Sequence, residues 1–290
     1  MSRTTPGEAV VTRFAPSPTG YLHRGHAFSA LTACQAASGP WGRFLLRIED
    51  IDRTRWRPEY EQAIYEDLAW LGLSWETPVR RQSEHLADYL AALERLRADG
   101  LVYRCFKTRA EIMAEIGQAP HGAQDAFVGA PLPAAEESRR LDAGEPFAWR
   151  LSLTAATALL GARSDDLAFV EEGQGPRGEH GRVRAELSGV GDAIVARKDL
   201  GVAYHLAVVV DDALQGVTLV VRGCDLFDSV PVQRLLQALL ALPTPRYRHH
   251  RILVGPDGRR YAKRDRAETL RALRERGVAP EALRAELGFG

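Results

Sequence analysis

Apolar and polar positions change period several times along the chain. Residues 10–14 and 44–48 are short apolar runs of strand length, and between them residues 27–37 repeat their apolar positions at helical spacing. A strand, a helix and a strand of these lengths predict a βαβ unit, the opening of a parallel sheet. Two helices are expected next, at 59–71 with Pro58 near its first turn, and at 84–98 stopped by Gly100. From Cys105 to about Leu200 the period weakens, Gly and Pro accumulate, and short strands at 148–153 and 167–170 alternate with polar loops. That stretch reads as an insertion between two halves of a sheet. Strands are expected again at 203–210 and 218–222, then a helix at 231–240 ended by Pro243 and Pro245. Short helices at 267–276 and 280–287 close the chain.

The pattern therefore predicts an α/β protein with a parallel nucleotide-binding sheet. Its first half occupies 8–104, an α+β insertion 105–200, its second half 201–245, and a loop with a short helical segment 246–290. With 290 residues, 45% of them hydrophobic, the chain has ample material for a core. Neither an apolar leader nor an uncharged run of membrane-spanning length is present, so a cytoplasmic protein without a membrane partner is expected. Cys34, Cys105 and Cys224 stand apart from one another, which argues against a disulfide framework and a cysteine-rich zinc site.

Net charge is zero, yet its distribution is uneven. Residues 244–276 hold eleven Lys or Arg against four Asp or Glu, with His249 and His250 besides. Inside this basic tract lies Tyr261-Ala262-Lys263-Arg264-Asp265, after a Pro256-Asp257-Gly258 turn signal. At the other end of the chain, Arg13-Phe14-Ala15-Pro16-Ser17-Pro18-Thr19-Gly20-Tyr21-Leu22-His23-Arg24-Gly25-His26 joins a strand to the first turn of a helix. N–H groups at such a helix start attract phosphate, and His23 and His26, three apart, share one face of it. Gly25 between them leaves room for a base or ribose. The run Gly173-Gln174-Gly175-Pro176-Arg177-Gly178 matches a dinucleotide-binding pattern, but Pro176 and the lack of a surrounding βαβ unit mark it as a loop.

The first segment resembles the HIGH signature of class I aminoacyl-tRNA synthetases in the form used for glutamate, and residues 260–264 resemble their KMSKS loop. Blocks at 46–55, 204–212 and 221–226 continue the likeness in the same order. The resemblance implies a Rossmann-like catalytic domain that activates L-glutamate with ATP, accompanied by Mg2+. It makes His23, His26 and Lys263 catalytic, with Gly25 and Arg264 joining them at ATP. It places Arg13, Ala15, Ser17, Glu49, Tyr204 and Arg222 against glutamate. The residue chemistry agrees: Arg13 and Arg222 at strand ends suit a second carboxylate, and Glu49 suits an ammonium group. Asp211-Asp212 offers an acidic pair, for which a hairpin or structural hydrogen-bonding role is expected rather than a metal.

Departures from the family pattern refine the expectation. Roughly 25 residues follow the KMSKS-like loop, too few for an anticodon-reading domain. The likeness is thus strongest to the truncated paralogues, the glutamyl-Q tRNA(Asp) synthetases, which transfer glutamate to the queuosine base of tRNA(Asp). Alternatives are charging of a tRNA 3′ end and a non-catalytic tRNA-binding module. Related proteins often bind zinc through Cys-x-Cys, a tyrosine and a further cysteine. Here Cys105-Phe106-Lys107 keeps one thiol, and 127–131 supplies no other ligand, so no structural zinc is expected. A monomer is expected.

Overall fold

The structure is a computed structural model that describes residues 9–118, 126–197, 201–253 and 268–290. Strand β1 (Val11–Phe14) is buried throughout and runs parallel to β2 (Arg43–Ile48), with Val11 opposite Arg43 and Phe14 opposite Leu46. The connection between them is α1 (Arg24–Ala36), as the helical spacing predicts. Helix α2 (Pro58–Trp70) begins on its proline and carries Glu59 and Glu61 in its first turn, where the helix dipole favours acids. Strand β3 (Glu76–Arg81) then pairs in parallel with β2, and α3 (Leu86–Ala98) packs behind.

The middle of the chain divides its strands between two sheets. Strand β4 (Val102–Cys105), helices α4 (Arg109–Gln118) and α5 (Ala134–Asp142), strand β5 (Ala148–Leu151) and helix α6 (Leu153–Leu160) come first. They are followed by β6 (Ala168–Glu171), β7 (Gly181–Arg184) and β8 (Ile194–Arg197). Strands β4, β5 and β8 form an antiparallel sheet of their own. The glycine-rich run at 173–178 lies in the connection between the antiparallel strands β6 and β7.

Residues 203–210, expected as a strand, are instead the start of helix α7 (Tyr204–Leu214). Every residue from Leu206 to Asp212 is buried, so this stretch has no solvent face to give it a 3.6-residue polar period. A continuous apolar run of that kind is indistinguishable by pattern from a buried strand. Strand β9 (Leu219–Gly223) follows, then α8 (Val230–Leu239) and β10 (Arg246–His250), which pairs in parallel with β9 and with β6. Thus β6 and β7, within the span read as an insertion, belong to the β9–β10 sheet. The Thr218 N–H donates to the Val11 carbonyl at 3.0 Å and the Val11 N–H to Thr218 Oγ1 at 3.0 Å, which brings β9 alongside β1. Helices α9 (Leu270–Glu275) and α10 (Pro280–Glu286) complete the described chain.

Strand alternation sorts side chains between two cores. Phe44, Leu46, Ile48, Leu219 and Val221 face α1, α9 and α10, whereas Val11, Leu45 and Val220 face α3, α7 and α8. The same alternation puts Arg13, two residues after Val11, and Arg47, two after Leu45, on the second face. Both meet the Asp211-Asp212 pair of α7 there.

Candidate active site

A cavity of about 500 Å3 opens at the C-terminal ends of β1, β2 and β9, where open parallel sheets bind ligands. Arg13, Ala15, Ser17, Glu49, Tyr204 and Arg222 all line it, and His26 borders it from the start of α1. Arg55, which lies in the 46–55 block but was not singled out, also reaches the cavity. Tyr204 stands at the first turn of α7, half-exposed at the cavity wall.

The buried wall is a charge network. Arg13 grips Asp212 through Nε at 3.0 Å and Nη2 at 3.4 Å, and Arg47, fully buried, donates to Asp212 at 2.7 Å and to Glu49 at 3.2 Å. Asp211 accepts from Arg80 at 2.7 Å, Gln82 at 2.8 Å and Tyr89 at 2.8 Å. Both aspartates are therefore saturated with protein donors. Among the described residues no group of acids, histidines or cysteines has metal-binding geometry. Burial opposes the charge on Arg47, yet Asp212, Glu49 and Asp211 hold its guanidinium above the ordinary range. Burial also raises the Asp212 pKa, but Arg13 and Arg47 outweigh it and keep that carboxyl below the usual range. For Glu49 the balance tips the other way: burial pushes its carboxyl up despite Arg47 and Arg13. An arriving ammonium group would offset that burial.

His23 and His26 form the cap of α1. The Gly25 N–H donates to His23 Nδ1 at 3.1 Å, and the His23 N–H donates to His26 Nδ1 at 3.2 Å, a reciprocal capping box. A ring nitrogen that accepts an N–H carries no proton, so each neutral ring bears its hydrogen on Nε2 and can donate from there. A Cβ on residue 25 would stand 3.0 Å from the His23 ring, so the glycine permits the ring to fold over the cap. Lys263 and Arg264 lie outside the described residues, as does the expected turn at 256–258. Their C-terminal neighbours are in place: Thr269 forms an antiparallel bridge with His23, the Leu270 N–H donates to the Leu22 carbonyl at 2.8 Å, and Glu268 accepts from Arg24 at 3.1 Å.

Sequence reasoning missed a buried chain behind Arg222. Arg222 Nε donates to His249 Nε2 at 3.1 Å, and His249 Nδ1 lies 2.5 Å from Glu171 Oε2. Gln233 Oε1 accepts from Arg222 Nη1 at 3.0 Å. Only the basic character of the 244–276 tract drew attention to His249, and an acid 78 residues away gives no local signal. At the expected zinc remnant, Cys105 packs with Tyr103 and Ile112, and Lys107 pairs with Glu115 at 2.5 Å.

The family model described as "tRNA synthetases class I (E and Q), catalytic domain" matches residues 9–289. The chain belongs to this family. It is an ATP-dependent ligase of the class I tRNA synthetase type, built on that family's α/β catalytic domain. It is 44% identical over 283 residues to a glutamyl-Q tRNA(Asp) synthetase of Rhodobacter capsulatus, covering 97% of this chain and 100% of that one. It is 43% identical to the protein of the same name from Nocardia farcinica, covering 95% and 82%. It is also 39% identical to glutamate–tRNA ligase 1 of Ruegeria pomeroyi, of which it covers 60%. Among solved structures, a glutamate tRNA ligase from Elizabethkingia meningosepticum in complex with its amino acid matches with a TM-score of 0.75 at 25% identity. That match covers 97% of this chain and 60% of the ligase, so the chain spans less than two thirds of that protein. Among the described residues no helix is long and apolar enough to cross a membrane.

Proposed function

We propose that the chain joins L-glutamate to AMP without needing tRNA, and then transfers the glutamyl group to the queuosine base at the wobble position of tRNA(Asp). The observation that carries this reading is the single cavity that brings Arg13, Glu49, Tyr204 and Arg222 together beside the capped start of α1. A carboxylate oxygen of glutamate attacks the α-phosphorus of ATP, and the bond to pyrophosphate breaks. The nucleophile is already ionised near neutral pH, so positioning and charge neutralisation are what the protein must supply. Glu49 takes the ammonium group and Arg222 the side-chain carboxylate, while Tyr204, Ala15 and Ser17 shape the wall. His23 and His26 donate through Nε2 toward phosphate oxygens at the positive end of α1.

Lys263 supplies a further positive charge to the leaving phosphates, with Arg264 assisting. Five residues lie between Lys263 and Thr269, so the chain permits at most about 22 Å between them. Any Mg2+ would come as part of the nucleotide substrate and supply charge neutralisation there; Asp211 and Asp212 would not hold it, since arginines already occupy them. The acyl carbon of the adenylate is then attacked by a hydroxyl of queuosine, and AMP leaves.

Two measurements test this. Glutamate-dependent ATP–pyrophosphate exchange should occur in the absence of tRNA, and labelled glutamate should appear on the nucleoside of tRNA(Asp) only when queuosine is present. Absence of exchange without tRNA overturns the first half. Label released with the 3′-terminal adenosine would favour end-charging, the reading that the Ruegeria pomeroyi likeness supports.

A further inference from the structure

We infer that Glu171 and His249 are positioning residues for Arg222, a buried relay that sets how tightly the enzyme holds the acidic side chain of its amino acid. The inference rests on the glutamate reading above and adds two residues which touch no substrate.

Arg222 is only 4% exposed, and its guanidinium is fixed on two sides. Nε donates to His249 Nε2, and Nη1 donates to Gln233 and reaches Tyr204 Oη at 3.5 Å. Nη2 is buried with no hydrogen-bond partner among the described residues. A buried donor left unpaired is costly, and Arg222 lines the cavity, so its guanidinium keeps hydrogen-bonding capacity that an incoming anion can use.

The tautomer of His249 decides whether that aim holds. Because Nε2 receives the Arg222 N–H, the ring proton must sit on Nδ1, which faces Glu171. Glu171 is itself immobilised: its Oε1 accepts the His249 N–H at 2.8 Å and the Gly173 N–H at 2.8 Å. Both side chains are wholly buried. The register of β6 against β10, with Glu171 opposite Tyr247, delivers the carboxylate to this place. Gly173 is required for the same reason, since a Cβ there would lie 2.2 Å from the His249 carbonyl. The first glycine of the dinucleotide-like run thus serves close backbone approach to the relay. An amide at position 171 would keep its oxygen toward the two backbone N–H groups and turn its NH2 toward Nδ1. The imidazole would then move its proton to Nε2 and oppose the Arg222 N–H.

The test uses the full chain in glutamate-dependent ATP–pyrophosphate exchange. Glu171→Gln and His249→Phe should each raise the KM for glutamate about ten-fold, the loss of one charge-assisted contact, with the KM for ATP and the saturated rate within about two-fold of wild type. The double variant should bind glutamate no more weakly than His249→Phe alone, because Glu171 acts through the ring. Nitrogen-15 NMR of the unsubstituted protein should find the His249 proton on Nδ1. Unchanged glutamate KM in both variants, a parallel change in both KM values and the rate, or a proton on Nε2 would overturn the relay. If the unsubstituted protein shows no exchange at all, the proposed activity fails, and the NMR tautomer alone decides the relay.

Discussion

Thr269 faces His23 across an isolated antiparallel bridge. The residue that begins α9, just after the basic loop, is thereby tied to the residue that caps α1. Thr269 also caps its own helix, its hydroxyl accepting the Ala272 N–H at 3.1 Å. Thr269→Ala should lower stability by about 1 kcal/mol in urea unfolding. It should also raise the KM for ATP more than the KM for glutamate. Lys263→Ala, by contrast, should abolish adenylate formation with tRNA binding preserved; normal exchange in that variant would remove Lys263 from the mechanism.

His26 has two separable duties. Its Nδ1 closes the capping box and the residue lines the cavity, so His26→Ala should lose about 1 kcal/mol of stability in addition to activity. Loss of a preorganised donor to developing charge predicts a drop of about 100-fold in the exchange rate. Asparagine at this position should recover the stability and leave most of the rate deficit, as denaturation and exchange measured side by side will show.

Arg47 holds three carboxylates apart. Arg47→Met would remove the principal countercharge of Glu49 and leave Asp212 to Arg13 and Asp211 to Arg80 alone, at a cost of about 3–5 kcal/mol in denaturant unfolding. A fall below about 1 kcal/mol would mean that the remaining arginines suffice.

Asp67 gives a pH signature. Buried in α2 with neither carboxyl oxygen hydrogen-bonded among the described residues, it is 3.5 Å from Arg274. Burial pushes its carboxyl up to about 7 against the opposing pull of Arg274. The folded state therefore holds this proton more tightly than the unfolded chain. The associated stability is complete below about pH 4 and is lost as pH rises through 7. Thermal unfolding from pH 5 to 8 should show a shallower decline in Asp67→Asn than in the unsubstituted protein; equal slopes would assign the decline elsewhere.

The β1–α1–β2 opening and the strand-end arginines are legible in sequence because each depends on contiguous residues with a clean period. Helix α7 is not, since its buried run lacks a polar face. The membership of β6 and β7 is not, since their partners β9 and β10 come later in the chain and pairing register leaves no mark on composition. Of the cavity, Arg13, Glu49 and Arg222 stand out as charges at the ends of apolar strands. The partners that fix them, Asp212, Arg47 and the Glu171–His249 pair, are read only once the chain is folded.

The charges of the cavity wall are matched unevenly. Arg13 and Arg55 each face a carboxylate, Asp212 and Asp52, whereas the direct partners of Arg222 are an imidazole, an amide and a phenol, all without charge. Among the described residues, Arg222 thus has no carboxylate in direct contact, and the nearest acid of its relay, Glu171, is reached only through the His249 ring. An amino acid with an amide side chain offers it a dipole where glutamate offers an anion. Under the proposed function, Arg222 would therefore tell glutamate from glutamine by counting charge, without measuring size, which the two nearly share.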